Sequence, residues 1–146
     1  MNKKEVNPEK EKNRPIIVID GKDSVLGRIC TLAAKQTLLG KKVVIVNCSA
    51  VIVSGKKKNI IEEYRIARNL GSPSFRGPFF PKHPYRLVKR TVRGMLAHRQ
   101  GRGSVAIKRV MCYDECPEEY VSAKKISVKK ALNTNSMTLK EIGEKI

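Results

Sequence analysis

The side chains that could do acid–base chemistry in this chain are few and follow no catalytic motif. The candidates are Asp20, Asp23, Glu62, Glu63, His83 and His98. General acid–base catalysis needs such groups together in a pocket, where one orients the next. Neither histidine has a carboxylate near it in the sequence, and no Ser-His-Asp or Cys-His pattern organises the set. The sequence therefore predicts that this protein is not an enzyme.

A glycine-containing loop stands where a nucleotide-binding loop would, between a predicted strand and a predicted helix. A P-loop needs G-x-x-x-x-G-K-[ST], whereas five residues separate Gly21 from Gly27 and Arg28 follows. These glycines also cannot supply G-x-G-x-x-G. Backbone amides at a helix start still favour an anion, so Lys22 and Arg28 are candidates to hold a phosphate. A simple tight turn explains the loop equally well.

The four cysteines do not have the spacing of a metal site. Cys112 and Cys116 are four positions apart and no second pair mirrors them. Cys30 and Cys48 lie in apolar sequence, which is typical of small buried hydrophobic side chains. We therefore expect no metal and no other cofactor. Since the sequence shows no secretory signal, we expect no disulfide framework either.

The charge distribution points to a polyanionic partner. Lys and Arg number 31 against 13 Asp and Glu, which gives a net charge of +18 at pH 7. Residues 64–113, the acid-free segment, contain no carboxylate. The cations and histidines of this segment, all candidates to contact RNA, are Arg65, Arg68, Arg76, Lys82, His83, Arg86, Lys89, Arg90, Arg93, His98, Arg99, Arg102, Lys108 and Arg109. A face kept only for solubility normally mixes both signs, so nucleic acid is the predicted partner.

A proline-rich stretch in the acid-free segment adds aromatic rings to this charge. Residues 71–84 contain two glycines and four prolines, a density that neither a helix nor a central strand tolerates. Cations interleave with the rings of Phe75, Phe79, Phe80 and Tyr85. RNA-facing loops use this mixture for stacking and phosphate contact. The alternative is that the rings pin the loop onto the protein's own core.

Length and hydrophobic patterning predict a single domain. A chain of 146 residues can bury about two-thirds of the surface of its unfolded form. Its apolar runs are about four residues long, whereas a transmembrane helix needs about 20. Residues 1–14 are polar and charged and contain no secretory signal, so we expect an N-terminal arm. We therefore expect a cytoplasmic protein with no membrane partner.

The first half of the chain has the pattern of a parallel βαβ unit. A strand over Ile16–Asp20, a helix over Ser24–Leu39 and a strand over Val43–Asn47 follow one another. Neither strand alternates polar and apolar residues, as expected for strands buried on both faces of a parallel sheet. A right-handed crossover through the helix joins such strands. The fold class is therefore predicted to be α/β.

The helix predicted over Pro84–Leu96 has two contrasting sides. At about 100° per residue, one side carries the packing residues Val88, Thr91, Val92 and Met95. The other side carries the cations Arg86, Lys89, Arg90 and Arg93. A solvated amphipathic helix ordinarily includes acidic partners at i,i+4, and this one has none. One side is therefore expected to pack and the other to contact phosphate.

The remaining elements are shorter. After this helix, Gly94, Gly101 and Gly103 predict a flexible basic turn whose backbone can approach phosphate closely. The other predicted elements are a short apolar run at Val51–Val53, a helix at Lys56–Leu70, a strand at Arg109–Tyr113 and a C-terminal helix opened by the capping pattern Thr138–Glu141.

An ordered set of short motifs carries a family resemblance over residues 15–121. These motifs are Val25-Leu26-Gly27-Arg28, Leu38-Leu39-Gly40-Lys41, Ser54-Gly55-Lys56, Arg76-Gly77-Pro78 and Arg90-Thr91-Val92-Arg93-Gly94-Met95-Leu96. In this order and spacing the sequence resembles the universal large-subunit ribosomal protein thirteen family, in its archaeal and eukaryotic branch. The resemblance implies a three-layer α/β/α domain on a four-stranded, mostly parallel sheet, with basic loop and terminal extensions.

The resemblance also implies a function and a set of residues. It implies a structural protein that binds large-subunit ribosomal RNA, meets neighbouring ribosomal proteins and supports subunit assembly and translation, with no enzyme activity, cofactor or small-molecule substrate. The residues that match the family's RNA-facing or backbone-approach positions are Arg28, Lys56, Arg76, Gly77, Arg86, Arg90, Arg93, Gly94, Arg102 and Gly103. The expected layout is an arm at 1–14, a domain at 15–121 and a tail with a short helix at 122–146.

Two other functions stay open from the sequence. An off-ribosome RNA-binding regulator of translation would use the same basic surface. A small nucleotide-dependent enzyme would need the loop after the first strand, which matches neither nucleotide-binding motif.

Overall fold

A computed structural model describes residues 14–70, 79–129 and 134–146 of the chain. The strands are β1 (Ile16–Asp20), β2 (Lys42–Val46), β3 (Ile52–Ser54), β4 (Val110–Cys112), β5 (Lys125–Ser127) and β6 (Ser136–Thr138). The helices are α1 (Leu26–Leu38), α2 (Lys57–Asn69), α3 (Pro84–Gly94), α4 (Gly101–Lys108) and α5 (Leu139–Lys145). Short 3-10 turns lie at Cys48–Ala50 and Glu118–Tyr120.

The main sheet has four strands in the order β4-β2-β1-β5, and all its pairings are parallel. Ile16 of β1 pairs with Lys42 of β2, and Val43 of β2 pairs with Val110 of β4. A separate two-stranded antiparallel sheet joins β3 to β6. The predicted α/β class, the βαβ unit and the four-stranded parallel sheet are confirmed. The strands β5 and β6 were not predicted as elements.

The sheet is the middle of three layers. On its first face, Ile19, Val43, Ile45 and Val110 are fully buried under the helices. On its second face, a smaller cluster forms where Val18, Val44 and Val46 are covered by residues 113–123. That covering segment contains the 3-10 turn Glu118–Tyr120 as its helical element. The predicted three-layer arrangement is confirmed, with a thin third layer.

The expectation that β1 and β2 are buried on both faces is correct for only part of their length. Ile16, at the start of β1, is 54% exposed, and Met111 of β4 is 47% exposed. The physical reason is that residues 113–123 cover Val18 and Val46 nearer the carboxyl ends of the strands and leave the strand starts open. An unalternated apolar strand therefore did not require full burial here.

The flexible basic turn predicted around Gly94, Gly101 and Gly103 is only partly correct: residues 95–99 form a turn, but Gly94 ends α3 and Gly101 begins the helix α4. Gly103 is buried, and a Cβ atom there would collide with the backbone carbonyl of Ala97. The close approach that this glycine permits is therefore to the protein itself. Open space surrounds Gly94 and Gly101, and their predicted approach to phosphate stays a prediction.

The C-terminal segment is integrated into the fold. The strand β5 pairs with β1 in the main sheet, and Met137, Leu139 and Ile142 are fully buried in the principal core. The hydroxyl of Thr138 accepts a hydrogen bond from the Glu141 amide at 3.3 Å, as the capping pattern predicts. Core packing thus continues past residue 121, where the sequence placed the end of the domain.

The predicted arm lies outside the described residues except for Arg14. No helix in the described part of the chain is long and apolar enough to cross a membrane.

Candidate nucleic-acid interface

The basic helix α3 is held at its N-terminus by a residue distant in sequence. Pro84 occupies its first turn and His83 precedes it in an extended conformation. The first turn contains no acidic residue of its own. Instead, the carboxylate of Asp114 accepts a hydrogen bond from the Tyr85 amide at 2.9 Å. A carboxylate at this end satisfies a free N–H group and complements the helix dipole.

The packed side of α3 faces the helical side of the sheet. Leu87, Val88 and Val92 are buried in the principal core, and the Cys30 thiol of α1 lies 3.8 Å from the Val88 carbonyl. Met95, predicted on this side, is 42% exposed just beyond the helix, where Leu96 takes the buried position. The predicted division of the helix into packed and exposed sides is otherwise confirmed.

The exposed side of α3 borders a shallow groove of about 290 Å³, hereafter the α3 groove. Its lining residues in the described part of the chain are Phe79, Pro81, Arg86, Lys89, Arg90, Arg93 and Ile107. Four of these are cations and none is acidic. Because the cations point outward from one rigid helix, they form a fixed positive surface on which the backbone of a polyanion can lie.

The aromatic rings near α3 have two different roles. Phe80 packs edge-to-face on Tyr64, with 5.6 Å between ring centroids, and carries the Arg90 guanidinium 4.7 Å above its own centroid. Tyr85 likewise accepts a hydrogen bond from Arg86 Nε at 2.9 Å. Phe79, by contrast, is 77% exposed in the groove. Phe80 and Tyr85 therefore fix the cations in place, while Phe79 is available for stacking on a base.

The other predicted RNA contacts are spread over several surfaces. The exposed ones outside the groove are Lys22, Arg28, Lys56, Arg65, Lys82, His83, Arg99 and Arg102. They occupy turns and helices, and their contact with RNA stays a prediction. Arg76, Gly77 and the ring of Phe75 lie outside the described residues.

Some predicted site residues make contacts within the protein. Arg68 donates a hydrogen bond to the backbone oxygen of Ile146. Arg109 donates to the Thr37 carbonyl at 3.3 Å. His98 is half-buried, with Nδ1 3.4 Å from the carbonyl of the residue two positions before it. These contacts give each side chain a structural role, whatever else it binds.

The loop after β1 is organised by its own carboxylates. Asp20 accepts hydrogen bonds from the Asn47 side chain at 2.9 Å and from the Lys22 amide at 3.0 Å. Burial alone would raise the pKa of Asp20, but these two hydrogen bonds, together with the charges of Lys129 and Lys125, outweigh burial and hold that pKa below its ordinary value. Asp23 pairs with Lys129 at 3.5 Å. These contacts support the tight-turn interpretation, since two carboxylates at the loop disfavour a bound anion.

The cysteines are free thiols, and two of them fill the core. Cys30 and Cys48 are fully buried, as predicted from their apolar sequence. Burial raises the pKa of Cys30 to about 12. A hydrogen bond with Cys112, together with burial, raises the pKa of Cys48. Both thiols therefore stay protonated near neutral pH and are poor nucleophiles. Within the described residues, no group of three Cys, His, Asp or Glu side chains is placed to hold a metal ion.

Sequence reasoning missed three residues that shape the basic surfaces. Asp114 positions α3, but no local signal links it to a helix start 29 positions away. Arg14 and Lys42 lie outside the acid-free segment, yet they border the same depression as Lys108 and Arg109 on the second face of the sheet. The signal for Lys42 is its alternation with Val44 along β2, which places it on that face.

This protein is a parallel α/β domain that presents an outward cationic helix beside an exposed aromatic ring. These features place it in the class of basic proteins whose surface suits a polyanion. Comparison with known proteins gives the family. The sequence profile described as Ribosomal protein L13 matches residues 14–119. This chain belongs to the ribosomal protein L13 family, as its motifs indicated.

Archaeal relatives agree over most of the chain. It is 43% identical over 114 residues to the large ribosomal subunit protein uL13 of Methanococcoides burtonii, covering 78% of this chain and 81% of the relative. Identity to the uL13 protein of Methanosarcina barkeri is 40% over 112 residues, covering 76% and 79%. For Natronomonas pharaonis uL13 the value is 35% over 131 residues, covering 89% and 90%. This last similarity includes part of the C-terminal segment.

Proposed function

We propose that this protein is a structural constituent of the large ribosomal subunit, that it binds ribosomal RNA through the α3 groove, and that it supports subunit assembly and translation in the cytoplasm. Membership in a ribosomal protein family supports this role, and so do its archaeal relatives, which are large ribosomal subunit proteins. Its partners are then large-subunit ribosomal RNA and neighbouring ribosomal proteins, and no enzymatic step is involved.

The observation that carries the RNA-binding proposal is the row of exposed cations on α3. The groove presents Arg86, Lys89, Arg90 and Arg93 without any acidic residue among its described lining. Each cation that meets a phosphate releases condensed counterions, which drives binding by entropy. Phe79 adds a ring on which an unpaired base can stack. The helices and the parallel sheet supply the rigid support that fixes the spacing of these groups.

Charge reversal on α3 tests this proposal. We expect Arg90→Glu combined with Arg93→Glu to remove the chain from the large-subunit peak of a sucrose gradient, because repulsion replaces two phosphate contacts. The matched control is Lys124→Glu combined with Lys140→Glu, which changes the net charge equally at two exposed positions outside the groove. The control is expected to sediment with the large subunit.

The same gradient fractions also show whether the proposal fails. Both double variants are first shown to unfold at the temperature of the original protein, so that any loss reflects binding. If the α3 variant still sediments with the large subunit at moderate and high salt, the α3 groove is not the principal RNA contact. If the unaltered chain stays in the light fractions at both salts, it is not a subunit constituent.

A further inference from the structure

The second face of the sheet has an open depression of about 250 Å³ at the start of its strands, hereafter the sheet-face pocket. Its floor includes Ile16 and Met111, both about half exposed. Tyr120, at the end of the 3-10 turn, forms one side. The third layer of the fold thus stops short of this end of the sheet and leaves apolar surface beside a ring.

The rim of this pocket is cationic. It contains Arg14, Lys42, Lys108 and Arg109. Arg14 is fixed in position because its Nη1 atom donates to the Gly40 carbonyl at 2.8 Å, just beyond α1. The lysines are held less tightly, since no carboxylate in the described residues lies within ion-pair distance of either one. Positive charge is therefore concentrated on one side of an apolar floor.

Two acidic residues lie beside Tyr120 on the 3-10 turn, outside the lining of the pocket. Glu118 and Glu119 lie on the 3-10 turn that ends at Tyr120. Glu119 is close enough to contribute, after partial burial and Tyr113, to raising the pKa of Tyr120. A bound anion is therefore directed toward the strand starts and away from the turn. The pocket thus has an orientation as well as a charge.

We propose that the sheet-face pocket binds one unpaired nucleotide of RNA. The base lies on Ile16 and Met111 beside Tyr120, and the adjoining phosphates contact Lys42 and Lys108. This inference rests on the proposed RNA-binding function and adds a second contact, on the face of the sheet opposite the helices. Ligand pockets for drug-sized molecules are about 300–1,000 Å³, so a depression below that range suits a single base. Flat bases splayed from single strands are recognised by rings and apolar surface in this way.

Charge complementarity favours RNA over a protein as the occupant. A protein partner would have to place several acidic side chains along one edge of a very small apolar contact. A nucleotide carries both required parts, a flat base and a negatively charged phosphate, with a single sugar between them. A stable protein interface buries about 800 Å² and about 20–30 residues on each partner, whereas eight of the described residues line this pocket.

Methyl NMR separates this inference from the proposed function. We would label isoleucine and methionine methyl groups and titrate the full chain with single-stranded oligouridylate, then with an RNA duplex. Ile16 and Met111 report on the sheet-face pocket, Ile107 on the α3 groove and the fully buried Ile45 on the intact core. We expect the single strand to shift Ile16, Met111 and Ile107. The duplex is expected to shift Ile107 alone, since it offers no unpaired base.

Variants then assign the contact. Lys42→Glu combined with Lys108→Glu should weaken the titration followed at Met111 by about tenfold, with Ile107 nearly unchanged. Met111→Gln, at a half-exposed position, should weaken the Ile16 titration without altering any charge. The control is again Lys124→Glu with Lys140→Glu, which should leave RNA binding at the sheet-face pocket and at the α3 groove unchanged.

Each outcome decides between the two claims. If the single strand shifts Ile107 but neither Ile16 nor Met111, the sheet-face pocket is overturned while the α3 groove stands. If Ile16 and Met111 shift on concentrating the protein without RNA, the occupant is a second copy of the chain and the inference is wrong. If none of these methyl groups responds to either RNA, both the inference and RNA binding through the α3 groove fail.

Discussion

Asp20 shows how one side chain fixes a turn that could be mistaken for a ligand site. We expect Asp20→Asn to lower the free energy of unfolding by no more than about 1 kcal/mol at pH 7, since it weakens two hydrogen bonds at a partly solvated position. The folded pKa is below the ordinary value of 3.8, so this stability is present above that value. It is lost as the pH falls through the folded pKa.

Urea denaturation at neutral and acid pH checks this expectation. The difference between Asp20→Asn and the original protein should shrink as the pH falls from 3.8 through the lower folded pKa of Asp20, because its carboxyl is protonated over that range and becomes uncharged, as the Asn amide is. Asp23→Asn is the control, as its ion pair with Lys129 is exposed and should contribute little. A difference for Asp20→Asn that persists unchanged into acid would show that charge is not the cause.

Single residues also show where sequence reasoning stops. The acid-free segment correctly indicated a concentration of positive charge. The order of charges along the chain does not show, however, which surface of the folded protein each side chain lies on. Arg90 and Lys108 both belong to it, yet the fold places them at the α3 groove and at the sheet-face pocket. Gly103 was predicted to lie in a flexible turn because glycine adopts many backbone conformations. In the structure it lies in α4, where the Ala97 backbone is too close to leave room for a Cβ atom. Such contacts depend on tertiary packing, which sequence spacing does not give.

At the scale of the element, α3 depends on a cap that comes from another part of the chain. We expect Asp114→Ala to lower the free energy of unfolding by about 1 kcal/mol, because the Tyr85 amide loses its acceptor and the helix dipole loses a favourable charge. Chemical denaturation measures the change, and amide hydrogen exchange locates it in the first turn of α3. Glu115→Ala removes the same charge from an exposed neighbour and should have little effect. Equal effects from the two variants would contradict a specific cap.

The longer elements could be predicted and the shortest could not. The strands β1 and β2 and the helix α1 have runs long enough to show hydrophobic patterning, and their bounds were predicted to within two residues. Three-residue strands such as β5 and β6 are too short to show a period. They exist because their backbones pair with β1 and β3, which are far away in sequence. The groove on α3 was predictable on its helical side, because a period of 3.6 residues separates packed positions from exposed ones.

At the scale of the whole molecule, the two basic surfaces lie on opposite sides of one sheet. The helices, including α3, cover the first face, whereas the starts of the strands are exposed on the second face. A net charge of +18 would destabilise a free compact protein through self-repulsion. Distributing the cations over both faces eases that repulsion, and under the proposed function it would let RNA contact both faces of the domain. The scattered exposed cations outside the α3 groove fit this arrangement better than they fit one binding patch.

At the same scale, the stability of the whole domain depends on its C-terminal segment. Leu139 is fully buried in the principal core, next to the cap that starts α5. We expect Leu139→Ala to lower the free energy of unfolding by about 2–5 kcal/mol, through lost burial and the cavity that it leaves. Lys140→Ala, at the exposed neighbouring position of the same helix, should change it by less than about 0.5 kcal/mol. Guanidinium denaturation followed by circular dichroism compares the two variants. If Leu139→Ala unfolds like Lys140→Ala, α5 is an appendage, and the stable domain ends near residue 121. A large loss means that the α3 groove and the C-terminal helix belong to one cooperative unit, so that damage to either element destabilises both.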